Sequence, residues 1–123
     1  MMMSTFDHAG LIQDINEGLA PFRKTQSEVM QGFGHLARAA MAEGVISAKN
    51  KELMALAIGV TQRCSGCIGF HVKALHKLNC TRAELEEMLS VCVYMGGGPA
   101  LMHAAEALKA WESMAPAASI SQP

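Results

Sequence analysis

The chain has 123 residues, enough for one domain with one modest core, and half of it is apolar although it holds only one Trp, one Tyr and four Phe. Ala, Leu and ten Met supply the bulk, which favours helices over strands. A formal net charge of −1 with no basic stretch argues against nucleic acid or an anionic membrane surface as the main partner, and no apolar run reaches the length of a membrane span.

The Met-Met-Met start lacks the basic and apolar regions of a signal peptide, so a cytoplasmic protein is expected. Residues 1–5 read as a disordered start. From Phe6 to about Ala20, Leu11, Ile12, Ile15 and Leu19 recur at helical spacing, and Gly18 and Pro21 are expected to end that helix. A second helix is predicted over Lys24–Glu43, with Val29, Met30, Phe33, Leu36, Ala37, Ala40 and Met41 on its buried side and Gly44 as its stop. Ser47 suits the N-cap of a third helix from Ala48 to about Gln62. Its second half is apolar almost all round (Leu53, Met54, Leu56, Ala57, Ile58, Val60), so it is either central or covered by another subunit, and a homo-oligomer is expected. A fourth helix starts near Cys64 and runs to about Leu78. Thr81 and Glu84 form a capping box for a fifth. Gly96-Gly97-Gly98-Pro99 then breaks the chain before a sixth helix through Leu101, Ala104, Ala105, Leu108 and Trp111. The Ala/Ser/Pro/Gln tail, 115–123, reads as disordered, which leaves 6–114 as the domain. No stretch reads as a strand, so the fold class is all-α, a single-domain bundle of about six helices.

The chemistry concentrates in Cys64-Ser65-Gly66-Cys67-Ile68-Gly69-Phe70-His71. The i,i+3 spacing puts both sulfurs on one face of a helical turn with Cβ atoms about 5–6 Å apart. A disulfide needs roughly 3.5–4.5 Å, so a slightly tightened turn would close it. His71 stands one turn beyond Cys67, and its side chain tilts back toward that sulfur. Unpaired N–H groups and the positive end of a helix lower a thiol pKa, as does a neighbouring imidazolium. One thiolate can then attack an electrophilic oxygen or sulfur and the other can resolve the product as a disulfide. The plain alternatives are a cysteine pair belonging to the core, or one that with His71 holds zinc, although no second ligand pair follows at finger-like spacing. Four cysteines in a cytosolic type of chain point to metal or catalysis before a structural disulfide framework.

Glu52 lies twelve residues before Cys64. On a straight helix that is about 18 Å. A hairpin turning near Arg63 would instead bring Glu52, eleven residues before the turn, beside residues eight to eleven after it, and His71 is eight after. Glu52 then orients the ring and raises its basicity, the arrangement of an activated nucleophile; otherwise it simply favours the N-terminal turn of its helix or meets solvent.

Glu52 followed by Cys64-x-x-Cys67-x-x-x-His71 resembles the alkylhydroperoxidase D branch of the carboxymuconolactone decarboxylase superfamily. Ser47-Ala48-Lys49-Asn50-Lys51-Glu52-Leu53, Phe70-His71-Val72-Lys73-Ala74 and Tyr94-Met95-Gly96-Gly97-Gly98-Pro99-Ala100-Leu101 agree, over roughly residues 33–110. The resemblance implies an all-helical subunit assembling into trimers or hexamers, and thiol-dependent reduction of small hydroperoxides or of a partner's disulfide, with a peroxiredoxin or a dithiol electron donor as partner. No cofactor and no metal site is assigned, with zinc binding kept as the alternative. Carried over, Glu52 and His71 relay protons, Cys67 attacks and Cys64 resolves; thioredoxin-like logic would reverse the two cysteines, and spacing leaves their order open. The chain departs from the founding peroxidase at Gly66, where that enzyme has another histidine, and in being a single, shorter copy of the helical module. Superfamily decarboxylases lack the CxxC, which disfavours ring-lactone decarboxylation.

Elsewhere, Cys80 and Cys92 read as small buried hydrophobes. His76, five residues from His71 and off its face, is expected to be exposed, and His35 and His103 read as satisfied or exposed histidines. The Gly96–Gly98 run lacks the strand-then-helix context of a phosphate loop.

Overall fold

The computed structural model describes residues 5–116. The expected disordered ends, 1–5 and 115–123, therefore lie almost wholly outside the described residues. Five helices follow in order: α1 (His8–Thr25), α2 (Ser27–Met41), α3 (Ala48–Thr61), α4 (Ser65–Lys77) and α5 (Arg82–Ser113). The described residues contain no strand, as the composition predicts.

The core is built from α3, α4 and α5. Leu56 and Val60 meet Ile68, Val72 and Leu75, and Leu85, Leu89, Ala104, Ala107 and Trp111 close over them. α5 counts as one span, yet Gly97 has φ 67° and ψ −149°, a conformation that favours glycine, so two helical halves meet there. The expected sixth helix is the second half of α5, with Pro99 in its first turn, where a missing N–H costs nothing. Small residues, Ala100, Ala104, Ala107 and Ala110, let that half lie close against the core.

Two Schellman motifs set the corners on either side of α4. At the end of α3, Arg63 takes φ 58° and the Cys64 N–H donates to the Gly59 carbonyl at 2.9 Å, while the Arg63 N–H reaches Val60 O at 3.3 Å. At the end of α4, Asn79 takes φ 58° and the Cys80 and Asn79 N–H groups reach Leu75 O and His76 O at 3.0 and 3.2 Å. Thr81 and Glu84 form the expected capping box. A bond of 2.6 Å from Lys49 Nζ to Glu84 ties the start of α3 to the start of α5 and holds the Glu84 carboxyl down to about 2.

Three expectations are corrected. α1 does not stop near Ala20: it runs through Pro21 to Thr25. Proline removes the hydrogen bond to the Glu17 carbonyl, but that turn is exposed, where water can serve the carbonyl instead. The face of α2 read as buried is open in the single chain, with Val29, Phe33 and Leu36 exposed by 59, 65 and 61 %. α2 packs only along α1 and α3, so no core element lies beneath that face. Finally, His76 is not exposed: its ring stacks on Trp111 at 3.8 Å and its Nε2 donates to the Trp111 carbonyl at 2.9 Å, which fastens α4 to the end of α5.

Candidate active site

The α3–α4 corner makes Cys64 serve two elements at once. It is the residue whose N–H closes the C-terminus of α3, and it is the N-cap of α4, its sulfur accepting the Cys67 N–H at 3.2 Å. That fold of the chain brings the two cysteines to a Cα–Cα distance of 5.2 Å, and they are joined as a disulfide. Both are partly buried, and both stand in the first turn of α4, where unpaired backbone N–H groups favour negative charge on sulfur once the bond is open.

Tight contact of α3 with α4 determines what lies next to the pair. Gly59, buried in α3, faces Cys67 so closely that a Cβ there would stand 3.0 Å from Cys67 Cβ. The same hairpin sets Glu52 beside His71, with Oε2 2.6 Å from Nδ1 and side-chain exposures of 15 and 29 %. An ionised carboxylate on Nδ1 fixes the Nδ1–H tautomer and leaves Nε2 as the basic nitrogen, a second-partner effect familiar from histidine bases and ligands. Of the four residues singled out in the sequence, Cys64 is thus joined to Cys67 and Glu52 to His71, with His71 one turn along α4 from Cys67. Among the described residues no group of three or more His, Cys, Asp and Glu is arranged to hold a metal ion.

α1 covers the other side of the turn. A Cβ on Gly66 would stand 3.0 Å from Ile15 Cδ1, and one on Gly69 would lie 3.3 Å from Ile12 and 3.6 Å from His8 Cβ. A larger residue at position 66 would therefore have to push the end of the Ile15 side chain aside. His8 itself, 2 % exposed, pairs its Nε2 with Glu106 Oε2 at 2.7 Å. Sequence reasoning missed this pair. The available signal was a carboxylate, Glu106, among the alanines of an otherwise apolar helix face, since such a residue is almost never buried without a partner. Cys80 and Cys92 are buried away from the corner, as expected, and burial pushes both thiols up. His35 is exposed, and His103 Nδ1 lies 3.0 Å from the Pro99 carbonyl of its own helix.

With the geometry in hand, residues 27–110 match the carboxymuconolactone decarboxylase family. An uncharacterized protein of Cupriavidus necator is 32 % identical over 110 residues, covering 89 % of this chain and 97 % of its own. An uncharacterized protein of the cox locus of Paracoccus denitrificans is 29 % identical over 82 residues, covering 67 % and 74 %. The crystal structure of an apo carboxymuconolactone decarboxylase family protein from Legionella pneumophila superposes with a TM-score of 0.88 at 49 % identity, covering 91 % of this chain and all of that one.

Proposed function

From the premise that the chain belongs to the carboxymuconolactone decarboxylase family, we propose that it is a thiol-dependent oxidoreductase that reduces hydroperoxides, or a partner's disulfide, through Cys64 and Cys67. The observation that carries this reading is the joined cysteine pair in the first turn of α4 with the Glu52–His71 pair one turn beyond. In the reduced protein His71, oriented by Glu52, takes the Cys67 proton. The Cys67 thiolate attacks the terminal peroxide oxygen, the O–O bond breaks, and the proton held on His71 passes to the departing alkoxide. Cys67 is then a sulfenic acid; the Cys64 sulfur attacks the Cys67 sulfur, the proton of the Cys64 thiol passes to the departing hydroxyl, which leaves as water, and the disulfide forms, so the dithiol has supplied both electrons. An external dithiol or a peroxiredoxin-type partner closes the cycle by thiol–disulfide exchange.

The working form in this reading is a homo-oligomer, a trimer or hexamer, supported by the open apolar face of α2 around Val29, Phe33 and Leu36. No described helix is long and apolar enough to cross a membrane. The deciding experiment counts free thiols and intact mass in the reduced protein before and after stoichiometric hydroperoxide. The expected result is loss of two thiols and two hydrogens, mapped to Cys64 and Cys67, with turnover abolished in Cys67→Ser. Undiminished turnover in that variant would overturn the assignment.

A further inference from the structure

Between α1, α2 and α4 lies a cleft of about 620 Å³, within the usual size of a small-ligand site. Leu19, Met30, Phe33 and Phe70 give it apolar walls, and two cations, Arg23 and Arg38, stand among them. Among the described residues no aspartate or glutamate lines it, so its local field is positive although the chain as a whole carries a formal charge of −1. Neither arginine has an ion-pair partner among the described residues. Arg23 leans back along α1 toward Asn16 Oδ1, at the long distance of 3.5 Å. Arg38 folds back along α2 over Gly34, where a Cβ would stand 3.2 Å from its Nη1. Glycine is disfavoured inside a helix, and here it leaves the room that the guanidinium occupies. Guanidinium groups without a carboxylate, set on the wall of an apolar cleft, present forked donors to an anion that also has an apolar body.

We infer that this cleft binds a free straight-chain carboxylate, the anion of a fatty acid, with its chain against the apolar walls and its headgroup held by the arginines. Charge decides between this occupant and a second copy of the chain. The open face of α2 that suits another subunit is carried by Val29 and Leu36, which do not line the cleft, and only Phe33 belongs to both. An apolar surface laid over the cleft would bury two guanidiniums with no carboxylate opposite them, which is costly; a carboxylate ligand neutralises them at the cleft's open side. The inference goes beyond the dithiol reading and does not depend on it: the cleft meets α4 at Phe70 alone, and no reacting atom is placed in it.

The test is isothermal titration calorimetry of the full chain with monomeric octanoate, decanoate and dodecanoate, and with 1-decanol and decylammonium as headgroup controls. About one carboxylate should bind per chain, tightening by about fourfold or more for every two carbons added. Decanoate should bind about tenfold tighter than 1-decanol at low ionic strength, with decylammonium weakest, and the advantage should shrink with salt. Arg23→Gln/Arg38→Gln, at two exposed positions, should erase that advantage and leave 1-decanol binding in place. Met30→Glu, which puts a carboxylate on the apolar wall, should weaken both ligands by about tenfold or more. Light scattering on the same samples tests the other occupant: if these variants change the mass while decanoate fails to bind, the cleft is a contact between copies and the inference falls. Decanoate and 1-decanol binding alike, or a decanoate advantage that survives the double arginine variant, would equally overturn it. The readout is binding to the oxidised protein, so a dithiol inert to hydroperoxide would sink the peroxidase reading alone.

Discussion

Gly59→Ala tests how tightly the hairpin is closed at the dithiol. In the interior of a helix Ala is favoured over Gly by about 1 kcal/mol, and at exposed Gly18 of α1, with nothing within 4 Å of a new Cβ, that gain should appear undiminished. At Gly59 the new Cβ would stand 3.0 Å from Cys67 Cβ, against a comfortable separation of about 3.5–4.0 Å between carbons. Cys67 Cβ cannot swing away, because it is fixed to the helix backbone and its sulfur is bonded to Cys64. Relief therefore requires a shift of α3 against α4 by roughly half an ångström or more, and overpacking of this kind costs about 1–3 kcal/mol. The net expectation for Gly59→Ala is a loss of about 0–2 kcal/mol while Gly18→Ala gains about 1. At roughly 4 °C per kcal/mol for a chain of this size, the two melting temperatures should differ by about 4–12 °C. The assay is thermal unfolding of the oxidised protein by circular dichroism at one fixed protomer concentration, since any assembly would make the midpoint concentration-dependent. The same shift moves Glu52 on α3 away from His71 on α4, so turnover should fall with stability. If Gly59→Ala raises the midpoint as much as Gly18→Ala, the close approach does not govern the hairpin and the reasoning fails.

Glu52→Gln keeps an oxygen able to accept the Nδ1–H but removes the charge that stabilises the imidazolium, so hydroperoxide turnover should fall by about 10²-fold with an unchanged circular dichroism spectrum; unaltered kinetics would return Glu52 to a helix-end role. The Glu84 carboxyl, held at about 2 by the Lys49 hydrogen bond against a reference of 4.5, contributes stability that is complete above pH 4.5 and lost as pH falls toward 2. Glu84→Gln should therefore flatten the fall in melting temperature over that window, and an unchanged acid limb would show that Glu84 does not govern it. Phe33→Glu, placing a charge on the open face of α2, should reduce the mass found by light scattering toward that of the 13.1 kDa chain; an unchanged mass would put the subunit contacts elsewhere.

The hairpin was legible in the sequence because the turn at Arg63 limits which residues of α3 and α4 can meet. A residue eleven before the turn faces those about eight to eleven after it, a range that includes His71 without selecting it, and the structure puts 2.6 Å between Glu52 and His71. The break at Gly97 and the cap at Thr81 were equally local, each set by the conformational limits of a few adjacent residues. What escaped was non-local or depended on solvent. His8 and Glu106 are 98 residues apart, and no period relates them. Pro21 carries a helix-stop signal, yet α1 runs through it in an exposed turn. The apolar stripe of α2 was read correctly as a stripe, but a stripe says only that something should cover it, and the core of this chain does not reach that far.

Cys64 shows why the corner could be read from sequence while its chemistry needs experiment. Its backbone N–H closes α3 and its sulfur caps α4, so the residue would be placed here by helix-end physics alone. Serine is a strong N-cap, and its hydroxyl can accept the Cys67 N–H as the sulfur does. Cys64→Ser therefore removes the redox partner while keeping both helix ends satisfied, and Cys67, inside the first turn of α4, has no capping duty to lose. A fold held by these caps should survive Cys64→Ser and leave a Cys67 that hydroperoxide converts to a sulfenic acid without a disulfide to follow, trappable by dimedone. If instead Cys64→Ser unfolds the protein, the disulfide rather than the caps holds the corner, and the pair would be structural.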